Sequence, residues 1–195
     1  MIRMKRQMTK RGYSYTVSNM PYILNCNYTF GIIGRKITMQ NLMSRTEYSL
    51  KQTKPLLKLF SLVPIFWICP IRKYPPYVLC CNHTKIGETK FRFGSPGISV
   101  IVQDHKYELL LQSNNIVLLL KDNAKIALIK KETKTVLEQN CYQIKPENVQ
   151  NQELDFMILL TVLADLIFFP NRFRIDYLKY ETTVGKNNQS YIEPN

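Results

Sequence analysis

Acidic residues are nearly missing from the first third of this chain. Residues 1–73 hold 13 Lys or Arg and a single acid, Glu47, whereas residues 74–195 hold 14 Lys or Arg and 13 acids. The net charge of +13 is therefore concentrated in the first third. A segment so poor in carboxylates is expected to favour anionic surfaces, either phospholipid head groups or nucleic-acid phosphates. The alternative interpretation is a solvated face that serves solubility alone.

Residue patterns typical of catalytic and metal sites are also missing. The two histidines, His83 and His105, both fall in predicted turns, where a histidine is more often solvated than catalytic. Gly31 and Gly34 lack the further glycine and the helix of a phosphate-binding loop. The cysteines are odd in number and have no C-x-x-C spacing, which argues against a metal site; they are Cys26, Cys69, Cys80, Cys81 and Cys141. We therefore expect no enzymatic activity, no metal and no cofactor.

No apolar run reaches the roughly 20 residues that a bilayer-spanning helix needs. The longest helix-like segment is residues 153–169, which is apolar nearly all round, ends at Pro170 and must be enclosed by something. In a membrane, Asp165 would lie in hydrocarbon at a cost of about 2.5 kcal/mol or more. Inside a protein, Asp165 could meet a backbone donor or a basic partner near the helix end. Length and charge together favour a buried core helix over a membrane span.

Short alternating runs separated by turn residues make up most of the remaining chain. Tight turns are predicted at Asp104-His105 and Asp122-Asn123, and a wider one around Pro96. The predicted strands are GYSYTV, YTFGII, RKITMQ, EYSLKQ, YVLCC, KIGETKFRF, ISVIVQ, KYELLLQ, NIVLLLK, AKIALIKK, TVLEQ, CYQIK and RFRIDYLKYE. These predict a mainly β fold, a closed or nearly closed antiparallel β-barrel of about twelve strands around a central hydrophobic helix at residues 153–169.

Three regions follow from this pattern. Residues 1–11 are predicted to be a basic N-terminal tail, residues 12–180 the barrel, and residues 181–195 a polar C-terminal tail. The start, M-I-R-M-K-R-Q-M-T-K-R-G, has no apolar signal region after its charges. We therefore expect a cytoplasmic protein, peripheral at the membrane if it binds there, whose thiols are reduced core residues.

Residues 54–73 combine apolar, aromatic and basic residues, and three prolines prevent one regular helix. One interpretation is an interfacial loop that inserts Phe60, Phe66 and Trp67 at head-group depth. The other is a pair of core strands joined at Pro64. The predicted ligands of the anionic surface are Arg35, Lys36, Lys54, Lys58, Arg72 and Lys73.

The run from Asp122 to Glu132, D-N-A-K-I-A-L-I-K-K-E, is a turn followed by a strand that ends in paired lysines. It resembles the repeated hairpins of the tubby C-terminal-like superfamily, which includes the plant LURP-one-related proteins and the phospholipid scramblases. The resemblance covers residues 12–180 as a pattern of elements and implies a closed barrel around a central hydrophobic helix. Phospholipid binding is implied as a family tendency. The family's phosphoinositide-binding lysine and arginine, and the scramblase calcium-binding segment, have no matching positions here.

Two other functions remain open. The chain could be a nucleic-acid-binding barrel in which aromatic residues stack on bases among the lysines; the candidates are Tyr13, Tyr15, Tyr22, Tyr28 and Phe30. It could also be a membrane protein anchored by the helix at residues 153–169. The physiological ligand and the oligomeric state do not follow from the sequence.

Overall fold

The computed structural model describes residues 1–29, 34–53, 76–91, 97–132, 141–147 and 151–169. Within these ranges the chain forms twelve strands and one helix. The strands are β1 Ile2–Thr9, β2 Gly12–Val17, β3 Tyr22–Thr29, β4 Gly34–Asn41, β5 Thr46–Gln52, β6 Tyr77–Cys81, β7 Thr84–Phe91, β8 Gly97–Val102, β9 His105–Ser113, β10 Ile116–Lys121, β11 Ala124–Lys131 and β12 Cys141–Pro146. The helix α1 is Asn151–Phe168.

The strands form a closed antiparallel barrel in which each strand pairs with its neighbours in sequence. The first and last strands close it, with Ile2 opposite Ile144 and Met4 opposite Tyr142. Closure leaves these strands without a free sheet edge, so their backbone groups are satisfied within the barrel. The predicted fold class, a closed barrel of about twelve strands with one helix, is confirmed.

The helix α1 lies in the barrel interior and forms the centre of the core. Every residue from Met157 to Ala164 is at most 1% exposed. Inward-facing strand residues that are fully buried surround it: Leu24, Ile37, Met39, Leu50, Leu79, Leu109, Leu119, Ile129 and Ile144. The prediction of a buried core helix is therefore confirmed. In the described part of the chain, no helix is both long enough and apolar enough to cross a bilayer.

The N-terminal boundary of the barrel was predicted wrongly. Residues 1–11 were expected to be a basic tail, but residues 2–9 form β1. In this strand Ile2, Met4 and Arg6 are buried, whereas Arg3 and Lys5 face solvent. The segment is basic because cations occupy its outward positions, and one inward position also holds an arginine. That inward arginine hides the usual alternation of apolar and polar residues.

Strand β3 begins at Tyr22, six residues before the strand predicted at 28–33. Its outward positions, Asn25 and Asn27, alternate with the buried Leu24 and Cys26. Asparagine is rare in strands, so the run was not recognised as one. The predicted strands at 135–139 and 172–181, and the predicted tail at 181–195, lie outside the described residues.

The hairpin turns match the sequence signals closely. Asp122 and Asn123 both have positive φ, 49° and 71°, as a two-residue type I′ turn requires, and Asn82 and His83 do the same. The turn predicted at Asp104-His105 is displaced by one residue. Its residues are Gln103, with φ of 51°, and Asp104, so that His105 begins β9.

Candidate anion-binding surface

The orientation of α1 defines two ends of the barrel. At the start of the helix, Asp155 accepts hydrogen bonds from Tyr22 Oη at 2.7 Å and from Asn41 Nδ2 at 3.1 Å. Tyr22 and Asn41 are register partners where β3 begins and β4 ends. Near the end of the helix, Arg35 at the start of β4 donates to the carbonyl oxygen of Leu166 at 3.2 Å. We call these the helix N-terminal end and the helix C-terminal end of the barrel.

A buried polar cluster lies inside the barrel towards the helix C-terminal end. Asp165 accepts from Arg6 at 3.0 Å through both carboxylate oxygens, from Tyr15 Oη at 2.7 Å, and from Tyr142 Oη. Burial alone would lower the pKa of Arg6, but the Asp165 carboxylate raises it above its usual value. Burial, followed by the Asp165 charge, raises the pKa values of Tyr15 and Tyr142. With a side chain that is 0% exposed, Asp165 cannot reach a ligand from solvent, so the cluster holds the helix in place.

The predicted anion ligands Arg35 and Lys36 face opposite ways. Arg35 points inward and bonds the last turn of α1, where a cation stabilises the negative end of the helix dipole. This contact gives Arg35 a role in the fold, and its predicted contact with an anionic surface stays a prediction. Lys36 faces outward and is partly exposed. The other predicted ligands and insertion residues, Lys54, Lys58, Arg72, Lys73, Phe60, Phe66 and Trp67, lie outside the described residues.

Lys36 is directly opposite another lysine. In the β4–β5 pairing its register partner is Lys51, which is exposed on the same outer face. Neither lysine has an ion pair within the described ranges, and the next position in this row, on β3, is Asn27. Like charges directly opposite each other in a sheet are destabilising. Since no described acid lies beside the two lysines, an anionic ligand would relieve the repulsion between them.

Further cations lie at the same end of the barrel. Lys10 and Arg11 form the β1–β2 turn and are exposed. Gly12, the next residue, pairs with Asn27, which in turn pairs with Lys36. The turn is thus joined to the lysine pair through one row of the sheet. We call Lys10, Arg11, Lys36 and Lys51 the basic rim.

Several lysines outside the basic rim are neutralised by acids. On β7 and β9, Lys85 and Lys90 pair with Glu88 at 3.1 and 4.0 Å, and Lys106 pairs with Glu108 at 3.0 Å. Lys121 and Lys125 pair with Glu153 and Glu147. These five lysines therefore differ from those of the basic rim, which have no ion pair in the described ranges. Among described cations elsewhere on the outer surface, Lys5, Arg45, Lys130 and Lys145 are exposed without an ion pair, whereas Arg3 pairs with Glu132 at 3.2 Å.

Three of the aromatic residues proposed to stack on bases are turned away from this surface. Tyr13 and Tyr15 are 4% and 2% exposed and face the barrel interior. Tyr22 is half-buried and bound to Asp155. The expectation that these three stack on nucleic-acid bases is therefore wrong, because alternation along the strand places them inside. The side chains of Tyr28 and Phe30 lie outside the described residues.

The histidines and cysteines do not form a catalytic or metal site in the part of the chain that the structure describes. His105 Nδ1 is 2.7 Å from Asp122 Oδ2 at the surface, without an adjacent nucleophile. Burial raises the pKa of the Cys26 thiol to about 12. Cys80, Cys81 and Cys141 are only partly buried, so the expected core position holds for Cys26 alone among these four. In the described ranges, no three His, Cys, Asp or Glu side chains are grouped to hold a metal ion.

Sequence reasoning found Lys36 but missed the rest of the basic rim. Lys10 and Arg11 were assigned to a tail, so they were not recognised as a turn beside the sheet. Lys51 lies between two residues buried in the structure, Leu50 and Gln52, and this alternation in EYSLKQ was the signal that it faces outward. Its position opposite Lys36 depends on the strand register, which the sequence does not display.

Comparison with protein-family models, with curated proteins and with solved structures found no match for this chain.

Proposed function

We propose that this protein is a non-enzymatic barrel of the tubby-like type that binds anionic phospholipid surfaces peripherally. The observation that carries the proposal is the cross-strand pair of Lys36 and Lys51 within the basic rim. Two ammonium groups held opposite each other, without a described acid beside them, favour a ligand that brings several phosphates together.

The distribution of ion pairs supports the same function. The described lysines of β7 form ion pairs with Glu88, and Lys106 near the start of β9 forms one with Glu108. The lysines of the basic rim have no such partner in the described ranges and face solvent. Each basic residue near an anionic membrane contributes about 1 kcal/mol of binding free energy. The four cations of the rim are therefore enough for a reversible, salt-dependent association. The resemblance of residues 12–180 to the tubby-like superfamily agrees with this function.

The test is a vesicle-binding measurement with two matched variants. Lys36→Gln with Lys51→Gln removes two unpaired charges, and Lys85→Gln with Lys90→Gln removes two that are paired with Glu88. Both variants lose the same net charge. Loss of about 2 kcal/mol should weaken binding to phosphatidylserine-containing vesicles about 30-fold in the first variant and much less in the second.

Equal losses in the two variants would contradict a specific role for the rim. A wild-type protein that binds single-stranded RNA tightly and ignores anionic vesicles would overturn the proposal in favour of nucleic-acid binding. Melting temperatures close to that of wild type would show that both variants remain folded.

A further inference from the structure

Apart from Met1, which is 74% exposed, the most exposed large apolar residues of the described chain lie at one hairpin turn. Met43 is 81% exposed and Leu42 is 49% exposed, and both lie in the β4–β5 turn at the helix N-terminal end. Ile23, 47% exposed, lies on the outer face of β3 opposite Gln40, two residues before Leu42. We call Leu42 and Met43 the apolar tip.

This turn is held in a defined conformation. Asn41 Oδ1 accepts hydrogen bonds from the backbone N–H of Met43 at 2.9 Å and of Ser44 at 3.3 Å. The amide nitrogen of the same side chain donates to Asp155 of the buried helix at 3.1 Å. The backbone N–H of Leu42 donates to the carbonyl of Pro21 at 2.9 Å. The core therefore fixes the turn with its apolar side chains outward, which lowers the ordering cost of binding.

The charges around the apolar tip indicate which kind of surface it contacts. Arg45 is exposed beside it and has no ion pair in the described ranges, and residues 41–46 contain no acid. Along the same hairpin the outward positions are uncharged at Thr38, Gln40 and Ser49, with Lys36 and Lys51 at the far end. Glu47 is the one acid of these two strands.

A single turn is too small for a stable protein interface, which buries more than roughly 1,000 Å². It is large enough for a lipid surface, where two apolar side chains pass below the head groups and a neighbouring arginine meets a phosphate.

We infer that the apolar tip, Leu42 and Met43, inserts into the head-group region of an anionic bilayer while the outer face of the β4–β5 hairpin lies along the membrane. This inference rests on the proposed function and adds the point and direction of contact. The basic rim supplies attraction at one end of the hairpin, and the tip supplies apolar burial at the other.

The first experiment measures depth. Trp67 is the only tryptophan, so Met43→Trp in a Trp67→Phe background places a single fluorophore at the tip. With vesicles of phosphatidylcholine and phosphatidylserine, its emission should shift to the blue and be quenched by brominated acyl chains. With phosphatidylcholine alone it should not change.

The second experiment measures affinity for the same vesicles. Leu42→Ser with Met43→Ser should weaken binding about 10-fold, because two partly inserted apolar side chains are lost. Leu42→Met with Met43→Leu keeps the apolar area and should bind like wild type.

The outcomes separate the inference from the function on which it rests. If wild type binds anionic vesicles but the serine variant binds equally well and the tip tryptophan neither shifts nor is quenched, the insertion inference is overturned and the proposed function stands. If wild type does not bind anionic vesicles at all, both are overturned.

Discussion

Arg6 and Asp165 form a buried ion pair that joins the first strand to the last turns of the helix. The Nη1 of Arg6 is 3.0 Å from each carboxylate oxygen, and the two side chains are 3% and 0% exposed. They are 159 residues apart in the sequence. Arg6 also lies 4.7 Å from the centre of the Tyr13 ring. The pair fixes the position of α1 along the barrel axis, because hydrogen bonds require more precise distances and angles than apolar contacts do.

Removing either charge should be strongly destabilising. Asp165→Asn leaves a buried guanidinium without its counter-ion, and Arg6→Met leaves a buried carboxylate with tyrosine donors alone. Each should lower the free energy of unfolding by about 3 to 5 kcal/mol. Urea unfolding measures this, with Lys85→Gln as a surface control that should cost less than about 1 kcal/mol.

The double variant Arg6→Met with Asp165→Leu should lose clearly less stability than the sum of Arg6→Met and Asp165→Leu alone, since it buries neither charge. Additive losses would mean that the two side chains do not depend on each other.

The helix should be sensitive to loss of volume. Leu159 and Leu163 are 0% exposed at the centre of the barrel. Changing either to Ala should lower the free energy of unfolding by about 2 to 5 kcal/mol, through lost burial and the cavity that remains. Thermal and urea unfolding of the soluble variants provide the measurement. Unchanged melting in both would be incompatible with an enclosed helix.

Gly12 should not tolerate a side chain. Its φ is 148°, and a Cβ at this position would lie 2.0 Å from the carbonyl oxygen of Cys26 on β3. Gly12→Ala must therefore push β2 away from β3 and should cost about 2 kcal/mol or more. Thr9→Ala, at the register partner on β1, is the control, and a similar small loss in both variants would refute the steric argument.

Stability should fall steeply at alkaline pH. Burial raises the pKa of Tyr48 to about 12, and burial also raises the pKa values of Tyr15, Tyr77 and Tyr142 above the usual 10.0. Between pH 10 and each folded-state pKa, the unfolded chain loses protons that the folded chain keeps. This stabilisation is therefore complete below pH 10 and declines as the pH rises, by about 1.4 kcal/mol per pH unit for each such tyrosine.

Tyrosinate absorbance measures ionisation of the tyrosines, and circular dichroism measures unfolding of the barrel. Ionisation of the buried tyrosines should coincide with loss of the barrel signal above pH 10. Full tyrosine ionisation in a still folded barrel would contradict the burial argument.

Parts of the fold were readable because local signals agreed with the tertiary structure. Strands β9 to β11 begin and end within about a residue of the predicted runs, since apolar residues and Asp-Asn turn chemistry point to the same register. The helix was predicted at 153–169 and observed as Asn151–Phe168, because an all-round apolar run needs enclosure.

Other parts depended on distant partners. Arg6 is compatible with an inward strand position because Asp165 lies opposite it, and no local rule shows that. Arg35 has the composition of a surface cation but is drawn inward by the last carbonyls of α1. Of the proposed surface, Lys36 was readable from the charge pattern, whereas its pairing with Lys51 required the three-dimensional register.

Closure of β1 onto β12 has a consequence during synthesis. A ribosome delivers β1 first, yet its closing partner, Cys141–Pro146, and the carboxylate that neutralises Arg6 are made much later. Until then the nascent sheet has a free β1 edge and an unmatched guanidinium on the surface that will become the core. Such edges are where chains aggregate or recruit chaperones. A chain interrupted between β12 and Asp165 could pair its strands but would have neither the helix nor the counter-ion, so proteases should remove it.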